Sequence, residues 1–141
     1  MIVVLDTNVV LQALKPRHAY SPIMDAWYSG RFVWGLSTDI LMEYREVIVR
    51  QSGKARWTAM DNLLRLATTY RKNVLNVAPS FYFRTITADQ DDDKFADCAI
   101  TAHADWIVTE DSHFRALIGS GFKPQPIKPS DFITRIIQAN S

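Results

Sequence analysis

The chain has 141 residues, of which 48% are hydrophobic, so it is long enough to bury a core and needs no second domain. Its formal net charge of +1 argues against a globally basic nucleic-acid binder, and any attraction for phosphate must come from local patches. A single cysteine, Cys98, excludes an internal disulfide and fits a reducing compartment. No apolar run approaches the about 20 residues that span a bilayer, so we expect a soluble, cytoplasmic protein with one domain over residues 1–141.

The first segment, Met1 to Asn8, carries the pattern around which the rest of the chain is organised. Ile2 to Leu5 form an unbroken apolar run, which predicts a parallel strand buried on both faces. Asp6 follows directly, at the edge where open parallel sheets hold their ligands. The same carboxylate is equally suited to a turn or helix cap, and Thr7 or Asn8 can cap the following helix. This segment alone leaves both roles open.

Helical and strand patterns then alternate along the chain. Apolar stripes and capping signals predict helices at 9–14, 21–29, 38–48, 57–67, 95–102, 113–118 and 129–137. Short apolar runs predict further strands at 32–36, 74–77 and 106–108, with a last edge strand at 126–128. The alternation predicts an α/β fold, a three-layer α/β/α arrangement around a mostly parallel sheet of about five strands. Cys98 lies on a buried stripe and is expected in the core.

Glu43 occupies an unusual position in the helix after the second strand. It lies three residues after Ile40 and four before Val47, which sets its carboxylate beside the apolar stripe and near the core. Charged residues that flank such stripes commonly turn outward. Pairing of Glu43 with Arg50 or Arg45 is therefore the alternative.

The two helices on either side of Gly53 are expected to form a hairpin with a basic surface. A nuclease would use such a surface to hold phosphates, and the candidate substrate-binding residues are Arg45, Arg50, Lys54 and Arg56. The alternative is an ordinary solvated face. The aromatic segment Phe81 to Arg84 follows in a predicted loop, where it would either stack on unpaired bases or close the core, and we expect the core.

The segment from Asp89 to Asp93 contains four aspartates in five residues, which is more than helix capping needs. Asp92 precedes Phe95 by three residues, so it continues the apolar stripe and should face the sheet. Asp93 and Asp97 lie on a neighbouring face and are secondary candidates.

The fourth strand repeats the plan of the first, because Thr109, Glu110 and Asp111 follow its apolar run. Asp111 should lie close to Asp6 if the two strands are neighbours. The histidines at 18, 103 and 113 share no spacing and are expected at the surface or in caps and not as ligands.

Four carboxylates at one sheet edge would repel each other, by roughly 4 kcal/mol for a pair 4 Å apart at an effective dielectric constant near 20. A divalent cation removes this cost, and oxygen ligands favour a hard ion such as Mg²⁺ or Mn²⁺. Such a centre polarises a phosphodiester and lowers the pKa of a bound water. The pattern therefore predicts metal-dependent phosphodiester hydrolysis.

The chain resembles the PIN-domain nucleases, and within them the VapC-like toxins of toxin–antitoxin systems. The resemblance runs from Met1 almost to the C-terminus. It rests on Leu-Asp-Thr-Asn-Val at 5–9, Glu43, Asp-Asp-Lys-Phe-Ala-Asp-Cys-Ala at 92–99 and Ile-Val-Thr-Glu-Asp at 107–111. It implies a parallel sheet sandwiched by helices and Mg²⁺- or Mn²⁺-dependent cleavage of RNA, usually single-stranded. A homodimer and a cognate antitoxin are also implied.

The same resemblance assigns roles residue by residue. It makes Asp6, Glu43, Asp92 and Asp111 the metal-binding and catalytic acids. Asn8 and Thr109 become supporting polar residues, and Asp97 matches a position that often holds a further acid. Related sequences usually have Asn where Asp93 stands and a small residue where Glu110 stands. The third ligand therefore stays open between Asp92 and Asp93.

Two other classes of protein compete with this interpretation. Phosphatases with an aspartyl nucleophile after a buried strand need a second aspartate two residues on, where this chain has Asn8. A non-catalytic RNA- or protein-binding domain with a vestigial acidic site is the other alternative.

Overall fold

A parallel sheet forms the centre of the molecule. The computed structural model describes residues 1–86 and 92–140. Within them, five strands form one parallel sheet in the order β3-β2-β1-β4-β5. The strands are β1 (Ile2–Leu5), β2 (Val33–Leu36), β3 (Val74–Asn76), β4 (Trp106–Val108) and β5 (Gln125–Ile127). Helices flank the sheet, which confirms the predicted α/β/α class and the edge position of the last strand.

The strand order places a topological switch point between β1 and β4. From β1 the chain moves outward through β2 to β3, and it then returns to the other side of β1 to form β4. The register pairs Leu5 with Val108, so the two strands end at the same level. A crevice opens at such a point in α/β sheets, because the chain leaves the two strands in opposite directions. The predicted adjacency of the two strands is confirmed.

Helices connect the strands, and two of the described α-helices begin with a side-chain cap, at Asp6 and at Ser37. Their bounds are α1 (Thr7–Ala13), α2 (Ser21–Tyr28), α3 (Thr38–Ser52), α4 (Lys54–Leu66), α5 (Asp93–Thr101) and α6 (Pro129–Asp131). The Ser37 hydroxyl accepts from the Ile40 amide and caps α3. Gly53 separates α3 from α4 with φ of +89°, a conformation that side-chain-bearing residues rarely adopt. The predicted hairpin of these two helices is confirmed.

The C-terminal helix is less regular than its apolar stripe predicts. After α6 the chain continues as a π-helical segment, Phe132–Ile137, and a 3-10 turn, Gln138–Asn140. The segment after β4 is likewise a 3-10 helix, Ser112–Leu117. The inward residues Phe132 and Ile137 are nevertheless buried as predicted.

The core lies between the sheet and the helices and is rich in aromatic residues. Its largest fully buried side chains include Trp27, Trp34, Tyr44, Phe95 and Phe114. Cys98 is also buried, as predicted, and burial raises the pKa of its thiol to about 12. The thiolate is therefore scarce at neutral pH, which argues against a nucleophilic cysteine.

The aromatic segment after β3 corrects one prediction. Phe81 and Tyr82 are 71% and 74% exposed, so they do not close the core as expected. Phe83 alone packs against the core. The loop runs over the surface and is attached to the core by Phe83 and by Ile86, which is 1% exposed, so Phe81 and Tyr82 stay in solvent.

Among residues 1–86 and 92–140, no helix combines the length and the apolar character needed to cross a bilayer.

One buried hydrogen bond joins α3 to the end of β1, and it provides a test of the fold. The Tyr44 hydroxyl, fully buried, donates to the Leu5 carbonyl oxygen. Tyr44→Phe leaves this carbonyl without its donor, so we expect the free energy of unfolding to fall by about 1–3 kcal/mol in chemical denaturation. The matched control is Tyr70→Phe, at a side chain 77% exposed, which should change it by less than about 0.5 kcal/mol. Equal losses in both variants would contradict the prediction.

Candidate active site

The ends of β1 and β4 bring Asp6 and Asp111 to one edge of the sheet. The Asp6 amide donates to the Val108 carbonyl at 3.0 Å and so continues the strand ladder. The Thr109 hydroxyl donates to Asp6 Oδ2 at 2.7 Å, and its oxygen accepts from the Asp111 amide at 2.9 Å. Thr109 thus fixes both the Asp6 carboxylate and the backbone that carries Asp111.

Glu43 reaches the same edge from α3. Its Oε2 accepts from the Thr7 hydroxyl, and its Oε1 lies 2.8 Å from Lys94 Nζ. The alternative of an outward pair with Arg50 or Arg45 is therefore wrong, and Arg50 pairs with Glu46 instead, at 3.8 Å. Glu43 turns inward because the hydroxyl and the ammonium compensate it there.

Asp92 lies beside Asp111, with His113 between them. The His113 Nδ1 atom lies 3.4 Å from Asp92 Oδ2 and 3.3 Å from Asp111 Oδ1. One ligand atom from each of the three residues falls within 4.8 Å of the others. Asp92 is buried, as its place on the apolar stripe predicts. Among the described residues, Asp6 and Glu43 do not belong to this close group, although Asp6 interacts electrostatically with Glu43 and Asp111. We call the four predicted acids, Asp6, Glu43, Asp92 and Asp111, the acid cluster.

The secondary candidates Asp93 and Asp97 have another role in this structure. Asp93 Oδ1 accepts from the Ile86 amide at 2.8 Å, and Asp97 Oδ1 accepts from the Phe83 amide at 3.0 Å. One turn of α5 therefore attaches the loop that precedes it. Burial raises the pKa of Asp97, and the negative charge of Asp93 adds to this shift, while the Phe83 amide and Arg84 oppose it. Asp89 and Asp91 lie outside the described residues.

Asp6 lies in an electrostatically unfavourable position. Burial raises the pKa of Asp6 above its ordinary value of 3.8, and the charges of Glu43 and Asp111 raise it further. Hydrogen bonds from the Thr109 hydroxyl and the Thr7 amide oppose this shift. The folded chain without metal therefore holds Asp6 in a site that disfavours its charge.

A large cleft adjoins the cluster at Glu43. Its volume is about 1290 Å³, and it runs along α3 to the start of α4. Its charged and aromatic lining residues are the acids Asp39, Glu43, Glu46, Asp93 and Asp97, the cations Arg45, Arg50, Lys54, Arg84 and Lys94, and the aromatic side chains Trp57 and Tyr82. Three of the four predicted substrate-binding residues thus line one cleft. Arg56 lies elsewhere, with its guanidinium 3.5 Å from the Leu14 carbonyl oxygen.

Other predicted residues lie apart from the acid cluster. Asn8 is exposed on α1, and no hydrogen bond among the described residues joins it to the cluster. The additional acid Glu110 accepts from the Tyr20 hydroxyl and is exposed.

Sequence reasoning missed three residues at this site. Thr7 and Lys94 hold Glu43, and His113, expected at the surface or in a cap, is partly exposed but contacts two of the acids. The only sequence signal for His113 was its place two residues after Asp111. Lys94 directly follows the aspartates at 92 and 93, and this position was the sequence signal that it lies near the site.

The raised pKa of Asp6 predicts how stability responds to a neutral substitution. An acid with a raised pKa binds its proton more tightly in the folded chain, so stability falls as pH rises from 3.8 through the raised value. Asp6→Asn, which preserves a capping oxygen for α1, should therefore raise the Tm of the metal-free protein by about 2–5 °C at pH 7.5. The gain should shrink toward pH 4. Asp25→Asn, at an exposed residue of α2, is the control, and a lower Tm for Asp6→Asn at pH 7.5 would contradict the prediction.

Comparisons with known proteins agree with this architecture. A chain in the structure of VapBC2 from Rickettsia felis bound to a promoter DNA fragment matches with a TM-score of 0.61 and 16% identity, over 91% of this chain and 98% of that one. FitAcB from Neisseria gonorrhoeae matches with a TM-score of 0.59 and 17% identity, over 90% and 97%. At these identities the similarity shows a shared fold. The family model for the PIN domain matches residues 2–113, and the chain therefore belongs to the PIN-domain family.

Proposed function

We propose that this PIN-domain protein is a metal-dependent endoribonuclease that hydrolyses phosphodiester bonds of single-stranded RNA. The observation that carries the proposal is the acid cluster at the switch point between β1 and β4, beside a large cleft whose lining includes arginines and lysines as well as acids. Carboxylates gathered from four separate segments, at a cost to folding, are typical of a site selected for chemistry rather than for stability.

The donor set fits a hard divalent cation. Asp92 and Asp111, whose ligand atoms lie within 4.8 Å of each other, would hold it together with Asp6 and Glu43. All four offer carboxylate oxygens, which suit Mg²⁺ and Mn²⁺. The raised pKa of Asp6 supports the same assignment, because a bound cation would offset the burial of this charge and its repulsion by Glu43 and Asp111. His113 adds a nitrogen beside Asp92 and Asp111, which favours Mn²⁺ more than Mg²⁺. When bound, the ion would polarise the phosphodiester and lower the pKa of a water that attacks phosphorus.

Two threonines of the chain orient the carboxylates that would hold the ion. Thr109 and the Thr7 amide orient the Asp6 carboxylate through bonds of 2.7 and 2.8 Å, so little rearrangement is needed when ligands bind. The Thr7 hydroxyl orients Glu43 in the same way. Thr109 is thus assigned a supporting role, whereas no hydrogen bond in the described part of the chain supports one for Asn8.

The cleft supplies the RNA-binding surface in this proposal. Arg45, Arg50 and Lys54 line it and would hold backbone phosphates. Tyr82, an exposed lining residue of the same cleft, offers a ring on which an unpaired base can stack. A cleft that combines phosphate-binding cations with an exposed aromatic ring suits single-stranded RNA, whose unpaired bases are free to stack.

We further propose that the protein is the toxin of a toxin–antitoxin pair, acts in the cytoplasm, and forms a homodimer bound by a cognate antitoxin. The motif resemblance to VapC-like toxins supports this, and so does the shared fold of VapBC2 and FitAcB.

Cleavage of a labelled single-stranded RNA by the purified protein tests the main proposal. We expect cutting with Mn²⁺ or Mg²⁺ and none with chelator, and Asp6→Asn should lower the rate by about 100-fold or more, because it removes one charge from the centre. Asp25→Asn is the control and should cut normally. Circular dichroism of each variant verifies the fold.

Two results would count against the enzyme. Full activity of Asp6→Asn would remove the acid cluster from the mechanism. RNA binding without hydrolysis under either metal would favour the alternative of a binding domain with a vestigial acidic site.

A paired substitution separates the two candidates for the third ligand. Asp92→Asn should weaken Mn²⁺ binding, measured by calorimetry, by about tenfold or more, because Asp92 adjoins Asp111 and His113. Asp93→Asn keeps an oxygen that accepts from the Ile86 amide, so affinity should change by less than about threefold. The reverse order of effects would make Asp93 the third ligand.

A further inference from the structure

The ion pair between Lys94 and Glu43 is the feature from which this inference starts. Lys94 is the second residue of α5 and extends to α3, where its Nζ lies 2.8 Å from Glu43 Oε1. Both side chains are only 24% exposed. The pair is therefore mostly shielded from the water and salt that weaken exposed ion pairs.

The geometry leaves Glu43 with no unoccupied oxygen. Its Oε2 accepts from the Thr7 hydroxyl and its Oε1 from Lys94. A cation that uses Glu43 as a ligand must share one of these oxygens or displace its partner. The ammonium is the partner that it would repel, since both are positively charged.

Lys94 differs in this respect from the other cations of the cleft. Arg50 pairs with Glu46, and the Arg84 guanidinium lies over the Tyr82 ring, 5.8 Å from its centre. Lys94, by contrast, forms its ion pair with Glu43, a member of the acid cluster. It also lines the cleft, so it is in contact with the acid cluster and with the surface proposed for RNA.

We propose that Lys94 is a built-in counter-ion of the acid cluster that exchanges with the metal. In the metal-free protein its ammonium occupies the cation position on Glu43. A divalent cation displaces it, and the released ammonium, on its flexible four-carbon stem, then binds a phosphate oxygen of RNA in the cleft. This inference rests on the proposed nuclease function and adds to it a positioning residue that couples metal uptake to RNA binding.

Metal affinity gives the first test and does not depend on activity. Mn²⁺ binding is measured by calorimetry at pH 7.5 for the wild type, Lys94→Met, Lys94→Arg and Lys54→Met. Lys94→Met should bind Mn²⁺ about threefold to tenfold more tightly, because the competing charge is gone. Lys94→Arg should stay close to the wild type. Lys54→Met removes the same charge from the same cleft without touching the cluster, and its Mn²⁺ affinity should change by less than about twofold.

Thermal unfolding gives the second readout. Without metal, Lys94→Met leaves Glu43 beside the other acids with no ammonium, so its Tm should lie about 2–5 °C below that of the wild type. Saturating Mn²⁺ should remove most of this difference, because the ion replaces the lost charge. Lys94→Gln repeats both measurements with another neutral side chain and separates charge from packing.

Cleavage kinetics distinguish the proposed role of Lys94 from a purely structural one. In Lys94→Met the Mn²⁺ concentration for half-maximal cleavage should fall, while KM for single-stranded RNA should rise by about threefold to tenfold. A residue that only supports the fold would weaken both interactions together.

The outcomes separate the two proposals. If the wild type binds Mn²⁺ and cleaves RNA but both neutral variants bind Mn²⁺ no more tightly than the wild type, the counter-ion role is wrong and the nuclease stands. If the wild type binds neither Mn²⁺ nor Mg²⁺, both proposals are overturned. Tighter Mn²⁺ binding with an unchanged KM would overturn the phosphate contact.

Discussion

The gathering of like charges at one edge of a buried sheet is the constraint on which the rest of this structure depends. β1 has no exposed face, so the residue after it emerges at the switch point beside the end of β4. Asp6 occupies that position, and the surrounding groups reduce its cost: the Thr109 hydroxyl and the Thr7 amide donate to it. The same threonine at position 7 donates its hydroxyl to Glu43. One residue thus couples two acids on different elements.

The acids near the start of α5 have two different roles, one in the site and one in attaching a loop. Asp92 contacts the site through His113, whereas Asp93 and Asp97 bind backbone amides of the preceding loop. The number of acids in such a segment therefore does not equal the number of metal ligands. Buried backbone amides need acceptors, and carboxylates are strong ones.

Local sequence patterns predicted the fold and the proximity of two of the site's acids, because both follow from the order of the strands and from the residues that end them. Unbroken apolar runs gave the strands, and repetition of the strand-then-acid plan gave the proximity of Asp6 and Asp111. The inward turn of Glu43 depends on Lys94, 51 positions further on, and no periodicity encodes such a pair. The exposure of Phe81 and Tyr82 was missed for a related reason, since aromatic composition indicates burial only on average.

The two bonds between α5 and its preceding loop have a consequence for chain length. Asp93 and Asp97 are one helical turn apart, and they bind amides three residues apart, at Ile86 and Phe83. Inserting or deleting one residue between these amides would break at least one bond and would move the exposed aromatic ring of Tyr82 relative to the cleft. Natural variation in the number of residues should therefore be concentrated in other loops, and the spacing from 83 to 86 should be fixed wherever both aspartates occur.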